Sequence, residues 1–338
     1  MEKTMETHFF SHGEASDEIR QSCHWCQIRA FDRQNKVPVS IVNETDDGAV
    51  LDPGFRFIQT SVFAKDVQLA EESFHSGCQC ANDNDCMFGN CLCLQEMAPD
   101  SEEEPAAHGQ RPGKKKRLAY YTRGARAGLL RRDKLNSRDP IYECHARCNC
   151  SARCPNRVVE RGRTIPLRIF RTPNGRGWGV ETPVKVRKGQ FVDRYLGEVI
   201  TGSEADRRRA AAKNAKRKDV YLFALDKFSN AESPDPRLQG PPLEVDGEFL
   251  SGPTRFINHS CDPNLRIFAR VGDHADKHVH DLAFFAIKDI KAGEELTFDY
   301  VDGILDTPDS GQDASNEGRK KKMARCLCGS AKCRGYLW

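Results

Sequence analysis

The chain has no long hydrophobic run. Nothing in its 338 residues approaches the roughly 18 consecutive apolar residues of a membrane-crossing helix. Its most apolar short stretch is DLAFFAI at 281–287. The start, MEKTMETHFF, carries acidic residues early and lacks the basic and apolar segments of a secretory signal, so a protein inside the cell is expected. A strong charge of one sign is missing too: the formal net charge of +3 is too small to mark a general nucleic-acid binder. Basic runs are local, KKKR at 114–117 and RKKK at 319–322, and each reads equally as a nuclear localisation signal or as solvated loop lysines.

Cysteine, by contrast, is abundant, with 15 residues. Inside the cell thiols stay reduced, so cysteines at close spacing point to metal before disulfides. One cluster reads C-x-C-x5-C-x4-C-x-C (Cys78, Cys80, Cys86, Cys91, Cys93) and a second C-x3-C-x-C-x3-C (Cys144, Cys148, Cys150, Cys154). Nine thiols bound at separate four-ligand zinc sites would fill two sites and strand one sulfur, whereas three bridging thiolates serve three zincs. The second arrangement leaves a net local charge of −3, for which Arg147 and Arg153 are the nearby cations. A redox or disulfide cluster is the alternative. Cys23 and Cys26 form a C-x-x-C with no second pair beside it, and read as ordinary thiols.

The tail, CLCGSAKCRGYLW, offers Cys326, Cys328 and Cys333, one thiolate short of a zinc site and with no histidine to complete it. Cys261, in RFINHSC, stands 107 positions after Cys154 and 65 before Cys326, and is the remaining candidate. If it is the fourth ligand, the C-terminus is tied over the RFINHS segment and a site beneath forms only with metal bound. Otherwise it is a core thiol.

Between these clusters the texture is that of short strands. GQFVDRYLGEVI, DVYLFALD, DLAFFAIKDI and EELTFDY are β-branched and aromatic runs broken by Gly and Pro, which favours a mainly β fold. VPVSIV and FRFI, near the N-terminus, suggest one or two strands laid on something larger. Helices are expected after Lys116 and over 203–218, the second capped by Ser203. The divisions expected are an N-terminal segment packing on the core (1–75), a zinc-cluster domain (76–160), the main β domain (163–302), a polar flexible linker (303–322) and the cysteine tail (323–338).

Together these motifs resemble the SET-domain protein lysine methyltransferases and, within that family, the suppressor-of-variegation subfamily, in particular its compact fungal histone H3 lysine-9 methyltransferases. The nine-cysteine array looks like a pre-SET trizinc cluster; GRGWGV (175–180), YLGE (195–198), RFINHSC (255–261) and ELTFDY (295–300) look like the SET core of several small sheets; the tail looks like a zinc-binding post-SET segment. The resemblance implies methyl transfer from S-adenosylmethionine to histone H3 lysine 9, in heterochromatin formation and gene silencing. It places the protein in the nucleus on chromatin, with recruitment factors the sequence does not identify, no membrane and no sequence-specific DNA binding. A non-catalytic zinc-rich chromatin module, or a methyltransferase of a non-histone lysine, are the alternatives.

Such chemistry needs a neutral amine, and on the order of one lysine in 2,500 is neutral at pH 7 with a pKa of about 10.4. A dry aromatic channel disfavours the ammonium and aligns the attack. By the resemblance Tyr300 is the catalytic tyrosine, Tyr195 a second active-site tyrosine, and Phe298 a residue that leaves room for a trimethyl product. Arg176, Gly177, Trp178, Asp219, Tyr221, Arg255, Asn258, His259 and Leu327 match cofactor contacts, with Gly177 and Gly179 permitting close backbone approach. Asp226 and the terminal Trp338 match substrate contacts, and a basic extended tail is expected to add a strand to a sheet edge.

Overall fold

The computed structural model describes residues 23–35, 37–45, 47–88, 91–96, 116–212, 220–301 and 324–337. The expected linker 303–322, Asp219 and Trp338 lie outside the described residues. Among the described residues no helix is long and apolar enough to cross a membrane.

Among the described residues the architecture is mainly β, in four small sheets. A five-stranded sheet runs Val39–Val42, Leu167–Arg171, Trp178–Glu181, Glu295–Phe298, Asn258–His259 in spatial order. One four-stranded sheet runs Val62–Phe63, Glu198–Ile200, Glu244–Asp246, Leu222–Ala224, and another Ile141–Tyr142, Leu265–Val271, Asp281–Ala286, Phe191–Tyr195. Arg56–Phe57 pairs in parallel with Leu250–Ser251. The N-terminal region thus gives a strand to three of the four sheets. The apolar stretch that is too short for a membrane becomes the interior strand Asp281–Ala286, paired on both edges and buried from Leu282 to Ala286. A strand covered on both faces has no polar face to alternate with, hence the continuous run.

Leu167–Arg171 shows the opposite pattern, its Leu167 and Ile169 buried and Arg168 and Phe170 half-exposed. Those inward residues join Val180, Ile257, Phe284 and Leu296 in the central core.

Two helix expectations change. The helix expected over 203–218 is Gly202–Ala211, and its cap is Thr201, not Ser203. Thr201 Oγ1 accepts from Glu204 N at 3.3 Å, the first half of a T-x-x-E capping pattern that fixes the start two residues earlier. Among the described residues no helix begins directly at Lys116; the first α-helix after it is the short Arg132–Asn136. Residues 119–131 form a hairpin with a single 3-10 turn, Gly124–Arg126, at its tip, because Gly124 (φ 65°) and Gly128 (φ 80°) turn the chain through a left-handed conformation that a continuous α-helix cannot contain.

A buried ion network ties the cysteine-rich region to the β domain. Arg270, 6% exposed, donates to Glu143 (3.0 Å), Asp281 (3.0 Å) and Glu160 (2.7 Å). Glu143, wholly buried and adjacent to Cys144, also accepts from Tyr120 Oη and from the Val158, Val159 and Glu160 amides. A buried carboxylate with this many donors is compensated, whereas removal of one partner leaves an uncompensated charge.

Candidate functional site: two cavities meeting at Tyr300

A cavity of about 610 Å³ lies where RFINHS, GRGWGV and the C-terminal tail converge. Eight of the nine expected cofactor residues line it: Arg176, Gly177, Trp178, Tyr221, Arg255, Asn258, His259 and, from the tail, Leu327. Gly177 has φ 85°, which suits glycine at the cavity wall. Gly179 acts differently from the expectation: a Cβ there would stand 2.8 Å from Glu295 Oε1, so it makes room for a carboxylate and not for a ligand.

That carboxylate, Glu295, is a residue sequence reasoning missed. It pairs with Arg176 at 2.5 Å and accepts from Asn258 Nδ2 at 2.9 Å, while the same Asn258 amide donates to Trp178 O at 3.0 Å. One group therefore orients two cavity residues. Its signal, the second of two adjacent glutamates in EELTFDY, carries no spacing that would single it out. Arg255 is caged by rings, its guanidinium carbon 4.3 Å from Tyr221, 4.7 Å from Phe256 and 5.1 Å from Phe55. Its buried Nε has no hydrogen-bond partner among the described residues. Aromatic faces, glycine and an orphaned donor together fit an adenosyl ligand bearing a sulfonium.

A second cavity, about 700 Å³, opens on the other side of Tyr300. Its walls are two strands with open edges. Among the described residues, Leu222–Ala224 ends its sheet, and Leu265–Val271 is paired beyond Asp281–Ala286 only at Arg270 and Val271. An extended peptide entering here meets unpaired backbone on both sides. Asp226 lies exposed on this groove, and Phe298 lines it.

Tyr300 lines both cavities. Its hydroxyl donates to Ile257 O at 2.7 Å and its amide to His259 Nδ1 at 3.1 Å. Burial raises its pKa above the ordinary tyrosine value, so it stays protonated. Tyr195 is 4% exposed, donates to Tyr221 O at 3.0 Å, and is likewise raised by burial. Ring contacts continue from Tyr195 to Phe223 (4.6 Å), Phe223 to Phe298 (5.7 Å) and Phe298 to Tyr300 (4.7 Å), an aromatic cluster at the junction; Tyr195 itself lines neither cavity but a separate one of about 210 Å³.

The sulfurs gather as two groups. In the pre-SET region, Sγ–Sγ distances of 3.8 Å (Cys78–Cys86), 3.9 Å (Cys91–Cys144 and Cys86–Cys144) and 3.4 Å (Cys93–Cys148) bracket the edge of a zinc tetrahedron, about 3.8 Å for Zn–S of about 2.3 Å. All nine cysteines take part in four-sulfur groupings, several of them in more than one, as bridging requires. The charge partner differs from expectation. Arg147 pairs with the exposed Glu72 at 2.5 Å, and Arg153 is exposed with its amide on Ser151 Oγ. Buried Arg157 takes the place beside the cluster, donating to Cys150 Sγ at 3.3 Å and to the Cys148 and Cys150 carbonyls.

At the tail, Cys261, Cys326, Cys328 and Cys333 bring their sulfurs within 4.8 Å of one another. Arg334 donates its amide to Cys261 Sγ at 3.4 Å and both guanidinium arms to Asp299, at 2.6 and 2.7 Å. His259 Nε2 is 3.2 Å from Cys261 Sγ, and burial lowers its pKa to about 4, leaving it neutral near pH 7. Tail, cofactor cavity and Tyr300 are one connected unit.

Such a junction, with a tail clasp closing one cavity, defines a class of group-transfer enzyme. A SET-domain model matches residues 177–301 and a Pre-SET motif residues 31–157. The H3 lysine-9 specific histone-lysine N-methyltransferase dim-5 of Neurospora crassa is 61% identical over all of both chains, and the solved structure of that SET-domain protein superposes with a TM-score of 0.71, at 63% identity, covering 78% of this chain and 95% of that one. The H3 lysine-9 specific KMT1 of Fusarium mangiferae is 59% identical over 100% of this chain and 99% of its own. Arabidopsis SUVH6, solved in complex with SAM, matches with a TM-score of 0.64 at 25% identity, covering 95% of this chain and 58% of that one. The chain belongs to the SET-domain histone-lysine N-methyltransferases.

Proposed function

We propose that this chain transfers methyl groups from S-adenosylmethionine to lysine 9 of the histone H3 tail, to the trimethyl state, in the nucleus and on chromatin, within heterochromatin formation and gene silencing. The observation that carries the reading is the meeting of the two cavities at Tyr300. A reader without catalysis needs no tyrosine shared by a ligand cavity and a peptide groove. Residues 76–160 are read as the zinc-cluster module, 163–302 as the catalytic domain, 323–338 as the zinc clasp and 1–75 as a segment laid on the core.

S-adenosylmethionine supplies a methyl group activated on a sulfonium; zinc, held by the nine pre-SET thiolates and by Cys261, Cys326, Cys328 and Cys333, supplies structure. The chain's own residues do the rest. Tyr300 and Tyr195 commit their hydroxyl protons to the Ile257 and Tyr221 carbonyls, which leaves their oxygens free to act as acceptors. The rings of Phe223, Phe298 and Tyr300 strip water from the entering amine, which favours its neutral form, and restrict it to one line of attack. The nitrogen lone pair then bonds the methyl carbon as the carbon–sulfur bond breaks. Arg176, Trp178, Asp219, Tyr221, Arg255, Asn258, His259 and Leu327 hold the donor; Asp226 and Trp338 meet the basic tail. Phe298 adds no hydroxyl to anchor the amine, which leaves it free to turn for a second and third transfer.

The test is mass spectrometry of an H3 tail peptide after incubation with S-adenosylmethionine and zinc-replete protein. Up to three methyl groups on lysine 9 are expected, and no transfer to any histone peptide contradicts the reading. Phe298→Tyr should shift products toward mono- and dimethyl lysine; an unchanged distribution removes the role given to Phe298.

A further inference from the structure

Residues 116–134, KRLAYYTRGARAGLLRRDK, hold seven Lys or Arg and one Asp, a local +6 in a chain whose formal charge is +3. They are built as a hairpin. Tyr120 and Leu130 are antiparallel bridge partners, and Tyr121 N donates to Leu129 O at 2.9 Å and Arg131 N to Ala119 O at 2.8 Å. The base is pinned by buried Tyr120, Leu129 and Leu130, with Leu130 N on Gly189 O at 2.7 Å. The tip, residues 123–127, is exposed throughout.

Its guanidinium groups are held against rings. Arg126 and Arg131 lie 5.6 and 5.8 Å from the centroid of Tyr121, and Arg123 lies 5.5 Å from that of Phe88. Exposed Arg187, from a separate loop, donates to Ala125 O and adds a cation beside the tip. Arg131 is paired with Asp133 at 3.2 Å. Among the described residues, Arg123, Arg126 and Arg132 have no carboxylate partner. Uncompensated like charges on a rigid loop repel one another and gain from a dense polyanion. Planar, donor-rich guanidinium suits phosphate oxygens in particular.

The hairpin also runs into the substrate groove. The short helix Arg132–Asn136 follows it directly, and Ser137 and Arg138 line the groove. Leu135 O accepts from Arg266 of the facing wall at 3.1 Å. Whatever rests on the hairpin therefore lies beside the substrate peptide.

We propose that this arginine hairpin docks on the phosphodiester backbone of the duplex DNA that a histone tail brings with it, through sequence-independent contacts made while the tail occupies the groove. The inference rests on the proposed function, since a histone substrate is what places duplex DNA beside this groove.

The experiment measures binding of a short labelled DNA duplex across a salt series, with the zinc-replete full chain and with an Arg123→Ala/Arg126→Ala/Arg132→Ala variant. Methylation of the free H3 peptide and of nucleosomes is followed in parallel. The variant is expected to lose roughly tenfold or more in duplex affinity at low salt, with a log–log salt slope shallower by about 2 to 3. Its peptide methylation should equal the parent's, which also shows that it folds, while its nucleosome methylation falls. The matching Arg→Lys variant should keep most of the salt-dependent binding. Parent-like affinity and slope in the Ala variant overturn the proposal, as does tighter binding of single-stranded RNA or of an acidic polypeptide through the same residues. Absence of peptide methylation by the parent protein would instead remove the proposed function, and the duplex measurement would still be read separately.

Discussion

In the pre-SET region eight of the nine cysteines are buried, Cys80 being the exception, and they pack with Leu94, Leu118 and Tyr142 as a core of their own. At the tail only Cys326 is buried, Cys333 is exposed, and the ligands come from places 65 residues apart in sequence. The same chemistry therefore serves two ends. The buried array substitutes metal for an apolar core and is continuous with the rest of the fold through Glu143 and Arg270. The clasp adds little to the core, yet it presents Leu327 to the cofactor cavity and sets Cys261 against His259, whose ring holds the Tyr300 amide. Stability is expected to reside mainly in the first region and catalytic competence in the second.

Removing a sulfur from each side separates the two roles. Cys144 belongs to three of the four-sulfur groupings, so Cys144→Ser should abolish cooperative thermal unfolding, followed by circular dichroism; a native-like melt would show that the array is not a folding core. Cys328→Ser should melt within a few degrees of the parent and yet lose roughly a hundredfold in kcat/KM, as expected when a cavity wall is displaced. Equal losses of stability in both variants would erase the distinction. A smaller effect is expected for Arg334→Ala, which removes the two-pronged contact to Asp299 while sparing every sulfur. The partners are 30% and 14% exposed, so cofactor affinity should weaken roughly fivefold by equilibrium binding, and Asp299→Asn combined with it should add little.

The parts of the molecule open to reading from sequence were those with a spacing. Nine cysteines in two tight runs and a tail one ligand short lead by arithmetic to sulfur clusters, and the structure gathers those sulfurs. Alternation and β-branched content gave a mainly β fold of short strands. What stayed hidden depends on chain segments that are distant in sequence. Glu143, Arg270 and Glu295 are single charged residues whose partners lie on other elements, and no local pattern marks them; Arg157 is only seven residues from Cys150, but nothing in the spacing sets it apart from Arg147 and Arg153. The peptide groove is a property of topology: Leu222–Ala224 looks like any short strand until its neighbours leave one edge open. The helix start moved because Thr201 and Ser203 are both good caps, and the strand ending at Ile200 makes the earlier one available.

The tail zinc is expected to assemble the cofactor cavity, whereas the pre-SET zinc holds the fold. This division is tested most directly by removing zinc in steps with a chelator while counting released metal, S-adenosylmethionine affinity and the unfolding transition on the same sample. The half-exposed clasp should give up its ion first. Cofactor binding should vanish with that first equivalent while the melting transition stays in place, and unfolding should follow only as further zinc leaves. Cofactor binding that survives the first loss, or a fold that collapses with it, would contradict the account.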